Sequence, residues 1–197
     1  MKILKDFYRR SSLEVAPDLL GLSLVHNTND GVFKGKIVEV EAYMGTKDVA
    51  AHSYSGKPTP RTQVMYGDGG FAYVYLIYGM YYCMNVVTNK IDIPEAVLIR
   101  AVEPLEGIDI MRQRRKKNKL TDLCNGPGKL CQSMGITKAD NGVDLTGDHL
   151  YLEKPEQKED FTIERSKRIN IDYAKEARDY LWRFTIADSP FISVKRR

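Results

Sequence analysis

Apolar and polar side chains alternate through residues 32–44, "VFKGKIVEVEAYM", and this period of two predicts a long strand. The turn signal "TNDG" at 28–31 precedes it and is expected to join it to a strand at 22–27 as a hairpin. Further upstream, "SSLEVAPDLLGLSLVHN" predicts a short helix with a serine cap, apolar positions at Leu13, Ala16, Leu19 and Leu20, and a stop at Gly21. Pro17 works against the middle of that helix.

Residues 45–70 show no period and are dense in Gly, Pro, Ser and Thr, so a long surface loop is expected there. Aromatic and β-branched residues then dominate "FAYVYLIYGMYYCMNVVT", which predicts two strand segments with a tight bend at Gly79. "EAVLIRAVEP" predicts a strand buried on both faces except at Arg100. Helical spacing follows through Leu105, Ile108 and Met111, with Pro104 expected in the first turn. A second helix is expected from Pro127 to a stop at Gly135. The last third alternates charged turns with strands, and Asp188-Ser189-Pro190 is expected to turn one strand back on the next.

No internal repeat is evident. The expected architecture is α+β: a single domain over 1–197, a mostly antiparallel curved sheet with flanking helices, and a protruding aromatic hairpin.

Composition narrows the picture. With 197 residues and 43% of them hydrophobic, the chain can bury one proper core. A net charge of +4 suits an acidic partner without requiring one. No apolar run reaches the roughly 18 residues of a membrane span. Cys83, Cys124 and Cys131 are an odd number with no C-x-x-C pair and no secretory leader is read, so neither a disulfide framework nor a zinc site is expected. A reducing compartment follows: the cytoplasm of a bacterium or the nucleus of a eukaryote, not secretion.

Candidate chemistry starts on the long strand. Its alternation puts Glu39, Glu41 and Tyr43 in one row, about 6.6 Å per step, with Val38, Val40 and Ala42 toward the core. A solvated acidic face is the ordinary fate of such glutamates. The strand runs into a long loop carrying His52, however, and rigid scaffolds present sites in this way. Tyr54, Lys57 and Arg61 on that loop mix an aromatic with two cations, which suits phosphate contact or an ordinary exposed loop. Tyr73, Tyr75, Tyr78, Tyr81 and Tyr82 fit a half-buried sheet surface, while the bend at Gly79 would project Tyr78 or Met80 as a wedge into a base stack.

Asn85 and Arg100 are polar positions in apolar strands, and Glu39, Glu41 or Glu103 could be the carboxylate for Arg100. The basic run Arg112–Lys119 reads equally as a solvated helix end or a DNA contact. "GPGK" at 126–129 lacks Walker spacing but can aim backbone N–H groups and Lys129 at one phosphate.

The stretches "GKIVEVEAYMG", "AAHSYSGKPTPR", "YVYLIYGMYYCMN", "VLIRAVEPLEG", "LCNGPGKLCQ" and "SPFISV" occur in the order found in the alkyladenine DNA glycosylases, also called 3-methyladenine or N-methylpurine DNA glycosylases. The chain resembles that family over nearly its whole length. The resemblance implies an enzyme without metal or cofactor that flips a damaged purine out of duplex DNA and hydrolyses its N-glycosidic bond, acting as a monomer. It implies Glu41 as the general base for water, with Arg100 helping to hold that water. It further implies Tyr43, His52 and Tyr75 around the flipped purine, Ala50 beside them, Asn85 against the 2-amino group of guanine, and Tyr78 as the wedge. Met80, Met65, Lys57, Arg61 and Lys129 are placed on the DNA side. Tyr54 and Lys57 stand where better-known members carry arginines, so phosphate contact there is expected to differ.

Two rivals remain open at this point. One is a carbohydrate-active hydrolase using Glu39 and Glu41 as an acid and base pair, whose spacing lies at the low edge of the inverting range. The other is a non-catalytic nucleic-acid-binding module.

Overall fold

The computed structural model describes residues 1–54, 56–157 and 159–194. Strands β1 (Ser23–Thr28), β2 (Gly31–Tyr43), β3 (Ala72–Ile77), β4 (Tyr81–Thr88), β5 (Glu95–Glu106) and β6 (Leu150–Glu153) run side by side in the order β3-β4-β5-β2-β1-β6. β7 (Ile163–Ser166) and β8 (Arg183–Ile186) complete an eight-stranded sheet, with β8 paired to β2 at Glu39–Glu41. All of the pairings are antiparallel, so the fold is a single-domain α+β with an open sheet.

β2 organises the molecule because its thirteen residues outrun any one neighbour on that edge. Its first half pairs with β1 through the two-residue turn at Asn29 and Asp30, and its second half pairs with β8. β5 lies along the other edge.

One face of the sheet carries the main core. Val40, Ala42, Val74, Met84, Val97 and Ile99 meet there with Leu19 of α2 (Ser12–Leu19) and Leu130 and Met134 of a later helix, Pro127–Met134. α1 (Lys5–Tyr8) precedes α2, and α3 (Ile108–Arg115) precedes that later helix, α4. At four residues, α1 is too short to show a period in the sequence. α2 has the expected serine cap, completed by a reciprocal Ser11–Glu14 capping box that offsets the cost of Pro17 inside the helix. α4 begins at Pro127 and ends on Gly135, whose φ of 74° favours glycine.

Three expectations are corrected. Pro104 lies in β5, and the helix starts only after Gly107, which has φ 76°. A register shift between Lys34 and Gly35 lets β5 carry one extra residue there, and such a bulge tolerates a residue without an N–H. Second, the alternation along β2 slips at Glu39, so Val38 joins Ala101 and Phe191 in a separate cluster rather than the core of Val40 and Ala42. Third, residues 191–194 do not form a strand after the turn at Asp188; they fold against the second face of the sheet.

β3 and β4 form a hairpin from Ala72↔Val86 to Ile77↔Tyr81. Tyr78 and Gly79 both have positive φ, and Met80 N–H donates to Ile77 O, the pattern of a type I′ turn. Tyr78 is 75% exposed and Met80 is 68% exposed at this tip. Among the described residues, no helix is long and apolar enough to cross a membrane. The three cysteines are buried and unbridged.

Candidate active site

The second face of the sheet carries a cavity of about 490 Å³, within the ~300–1,000 Å³ span usual for small-molecule sites. Its floor is made by alternate residues of four strands: Tyr43 from β2, Tyr73 and Tyr75 from β3, Cys83 and Asn85 from β4, Leu98 and Arg100 from β5. Strand geometry sends the intervening residues Ala72, Val74, Met84, Val97 and Ile99 into the main core. The rim comes from Ala50, His52 and Met65 of the long loop, from Ile169–Ile171, and from the start of α4 at Gly126–Lys129. Tyr78 reaches the same mouth.

Both glutamates of the opening strand are fully buried just behind this floor, which removes the solvated-face reading. Four donors reach Glu39. Its Oε1 accepts from Arg100 Nε at 2.9 Å, Arg183 Nε at 2.8 Å and Ser193 Oγ at 2.7 Å, and its Oε2 accepts from the Ser193 N–H. Three donors reach Glu41: Ile169 N–H at 2.7 Å on Oε1, and Tyr43 Oη at 2.9 Å and Arg100 Nη1 at 3.3 Å on Oε2. A carboxylate oxygen offers about two lone-pair sites, so Glu39 Oε1 is crowded by three donors while Glu39 Oε2 and Glu41 Oε1 each accept only one. All three groups that bond Glu41 belong to residues lining the cavity.

Arg100 thus bridges the two carboxylates, and Glu103 takes Lys36 instead. Burial works against the Arg100 charge, but Glu41 and Glu39 outweigh it and hold the guanidinium more firmly protonated than usual. Burial would raise the Glu39 carboxyl, yet Arg100, Arg183 and the Ser193 N–H overcome it and keep the group below its ordinary value. Glu39 is fully buried, engaged by four donors and absent from the cavity lining, so the structure does not place it to flank a sugar bond opposite Glu41 as a glycosidase-like pair would.

His52 Nδ1 lies 2.9 Å from Tyr73 Oη, and its ring meets Tyr75 edge-on at 4.6 Å. Part of the ring opens to solvent, but the surrounding protein and then the charge of Arg61 lower its pKa to about 4, so it is neutral at pH 7. Burial, then the Glu41 carboxylate, raises the Tyr43 hydroxyl well above its normal range, leaving it a firm hydrogen-bond donor. Burial likewise raises Tyr75 and lifts the Cys83 thiol to about 11, so neither is a ready nucleophile. Arg168 covers one side of Tyr43 at 4.7 Å, and Arg61 lies 4.9 Å from the Tyr75 ring centre. Asn85 Nδ2 donates to Tyr73 O at 3.2 Å.

Of the residues singled out from the sequence, Tyr43, Ala50, His52, Met65, Tyr75, Tyr78, Asn85, Arg100 and Lys129 therefore line one cavity. Met80 sits beside it on the exposed tip, Arg61 on the Tyr75 ring, and Lys57 on the exposed part of the long loop. The basic run divides: Arg114 is anchored to Ser133 O and Asp30, and Arg112 to Asp109, while Arg115 bonds Leu123 O and Gln132 at the cavity edge.

Sequence reasoning missed Arg183 and Ser193, which hold Glu39, and the Asp48–Arg168 pair, buried completely beneath Tyr43. These partners lie 120 to 154 positions apart in the chain, beyond any local period. The one available signal was "SPFISV", which contains Ser193.

A model of the methylpurine-DNA glycosylase family matches residues 6–190, and the chain belongs to that family. It is 51% identical to a Clostridium acetobutylicum protein, with both chains covered in full. It is 54% identical to one from Clostridium novyi over 97% of this chain and 98% of that one. A third relative, from Alkaliphilus oremlandii, is 52% identical over 99% of this chain and all of its own. Each of the three carries the name "Putative 3-methyladenine DNA glycosylase".

Proposed function

We propose that the protein is a monofunctional purine DNA N-glycosylase. It extrudes an alkylated or deaminated purine such as 3-methyladenine, 7-methylguanine, hypoxanthine or ethenoadenine from duplex DNA, and Glu41 activates the water that releases the base. Family membership and the relatives' names support the reaction class. The observation that carries the mechanism is that Glu41, buried behind an aromatic cavity, is bonded only by Ile169, Tyr43 and Arg100, all of which line that cavity, whereas Glu39 is tied to Arg183 and Ser193 away from it.

In this reading Tyr43, His52 and Tyr75 enclose the extruded purine, and aromatic faces favour the positive charge of an alkylated base. A neutral His52 can hydrogen-bond the base without repelling that charge. Water attacks C1′ of the sugar, its proton passes to Glu41, and the C1′–N bond breaks with its electron pair leaving on the purine. Arg100 and the Tyr43 hydroxyl hold the Glu41 carboxylate in position. Asn85 crowds a 2-amino group, and Tyr78 with Met80 fills the gap in the helix. Lys57, Arg61 and Lys129 contact phosphates, which sets register without reading sequence.

The test uses duplexes carrying each of the four lesions. Wild type should release at least one free base, and Glu41→Gln should bind the same duplex while losing base release by roughly 10²-fold or more, the scale of a lost general base. Unchanged release in Glu41→Gln would falsify the assigned base. No release by wild type from any lesion would favour a binding module.

A further inference from the structure

Two of the chain's three histidines meet a buried aspartate far from the cavity floor, at the opposite end of α4. His26 lies in β1, His149 immediately before the paired strand β6, and Asp140 closes the 3₁₀ turn Lys138–Asp140. Their inner atoms face one another: His149 Nε2 to Asp140 Oδ1 is 2.9 Å, His26 Nε2 to Asp140 Oδ1 is 3.3 Å, and His26 Nε2 to His149 Nε2 is 3.3 Å. That triangle has a circumscribed radius of about 1.8 Å, so an ion slightly out of its plane reaches all three corners at the ~2.0–2.2 Å of Zn–N and Zn–O bonds.

The outer atoms are held as metal ligands usually are. His26 Nδ1 lies 2.9 Å from Met134 O, which fixes its proton on Nδ1 and turns the Nε2 lone pair inward. Asp140 Oδ2 accepts the Thr137 N–H at 2.7 Å, which turns Oδ1 inward. His26 Nε2 and Asp140 Oδ1 thus converge on one point at 3.3 Å, with His149 Nε2 as the third corner, an arrangement suited to a shared cation. His26 and Asp140 are buried, whereas the His149 side chain is 52% exposed and leaves a solvent side for a further ligand.

We propose that His26, Asp140 and His149 bind a divalent transition-metal ion of the zinc class. Two imidazoles with one carboxylate select such borderline ions over the oxygen-seeking Mg²⁺ and Ca²⁺. The ion joins β1, β6 and the Lys138–Asp140 turn at the end of α4 whose start lines the cavity, so its role is to brace the fold and it takes no part in base release.

The full chain, stripped with EDTA and dialysed, is titrated with ZnSO₄ by calorimetry, with Co²⁺ absorption in the visible as a second readout. One equivalent should bind, and the melting temperature should rise with added zinc. His149→Ala changes a half-exposed side chain and should fold, with affinity reduced by at least about tenfold, the scale that loss of even an outer-shell partner produces. Asp140→Asn should weaken binding in the same direction, and His52→Ala should leave it unchanged. Absence of stoichiometric binding, or equal affinity in wild type and His149→Ala, overturns the proposal and leaves the three side chains as a proton-sharing network. Base release is not used as a readout, so the result stands apart from the glycosylase reading.

Discussion

The partners of Glu39 and Glu41 are the residue-scale difference that separates two glutamates two positions apart: Glu41 is bonded only by cavity-lining residues, whereas three of the four donors on Glu39 come from Arg183 and Ser193, which do not line it. Glu39 pairs with both Arg100 and Arg183, and Arg100 also reaches Glu41, so in the proposed mechanism Glu39 would act as a positioning residue through Arg100. Glu39→Gln leaves two buried guanidiniums sharing one charge fewer, and breaking such a pair costs about 3–5 kcal/mol. Denaturant unfolding should show that loss of stability, and an unchanged midpoint would remove the structural role. His52 supplies a pH signature. Its folded pKa of about 4 lies below the ordinary 6.5, so the unfolded chain binds its proton first as pH falls. Stability from this residue is present above pH 6.5, declines between about 6.5 and 4, and is level below. The melting temperature of wild type should therefore fall more steeply across that window than that of His52→Gln, and parallel curves would contradict the assignment.

The β3–β4 hairpin is the element whose two faces do different work. Ala72 and Val74 anchor it in the core, Tyr73 and Tyr75 wall the cavity, and the Tyr78–Gly79–Met80 turn stands in solvent. Such exposure of two large apolar side chains at a turn has no benefit to the free fold, which is why a wedge into DNA is the proposed use. Tyr78→Ala should leave the melting temperature within about 0.5 kcal/mol equivalent, as surface changes do, while weakening binding to lesion duplexes more than to undamaged ones. Equal losses on both duplexes would reduce Tyr78 to a general contact. β5 shows the complementary case, where one bulge carries Pro104 in a strand and moves the helix start to Ile108.

On the scale of the whole molecule, the site depends on the last described residues. The Ser193 N–H and hydroxyl complete Glu39, and Phe191 packs on Val38 and Ala101. A chain ending at Ser189 keeps every cavity-lining residue and should nonetheless lose both stability and base release, checked by melting and by the four-lesion assay. Full activity in that truncation would show that Glu41 does not need Glu39 in its present setting.

Strand periods, turn dipeptides and caps determined most of the elements, because each depends on neighbours within a few positions: the β1–β2 hairpin, the bend at Gly79, and α4 between Pro127 and Gly135 were all legible. The same period placed Glu39, Glu41 and Tyr43 in a row, and the resemblance of whole motifs chose Glu41 among them. Tertiary structure alone decided that the row is buried rather than solvated. It also decided that Arg100 spans both carboxylates, and that Arg183, Ser193 and Arg168 come from more than a hundred positions away to satisfy buried charge. Buried ions must be paired wherever the fold brings partners near. That pairing is a property of distances in space, and no local pattern of side chains encodes it.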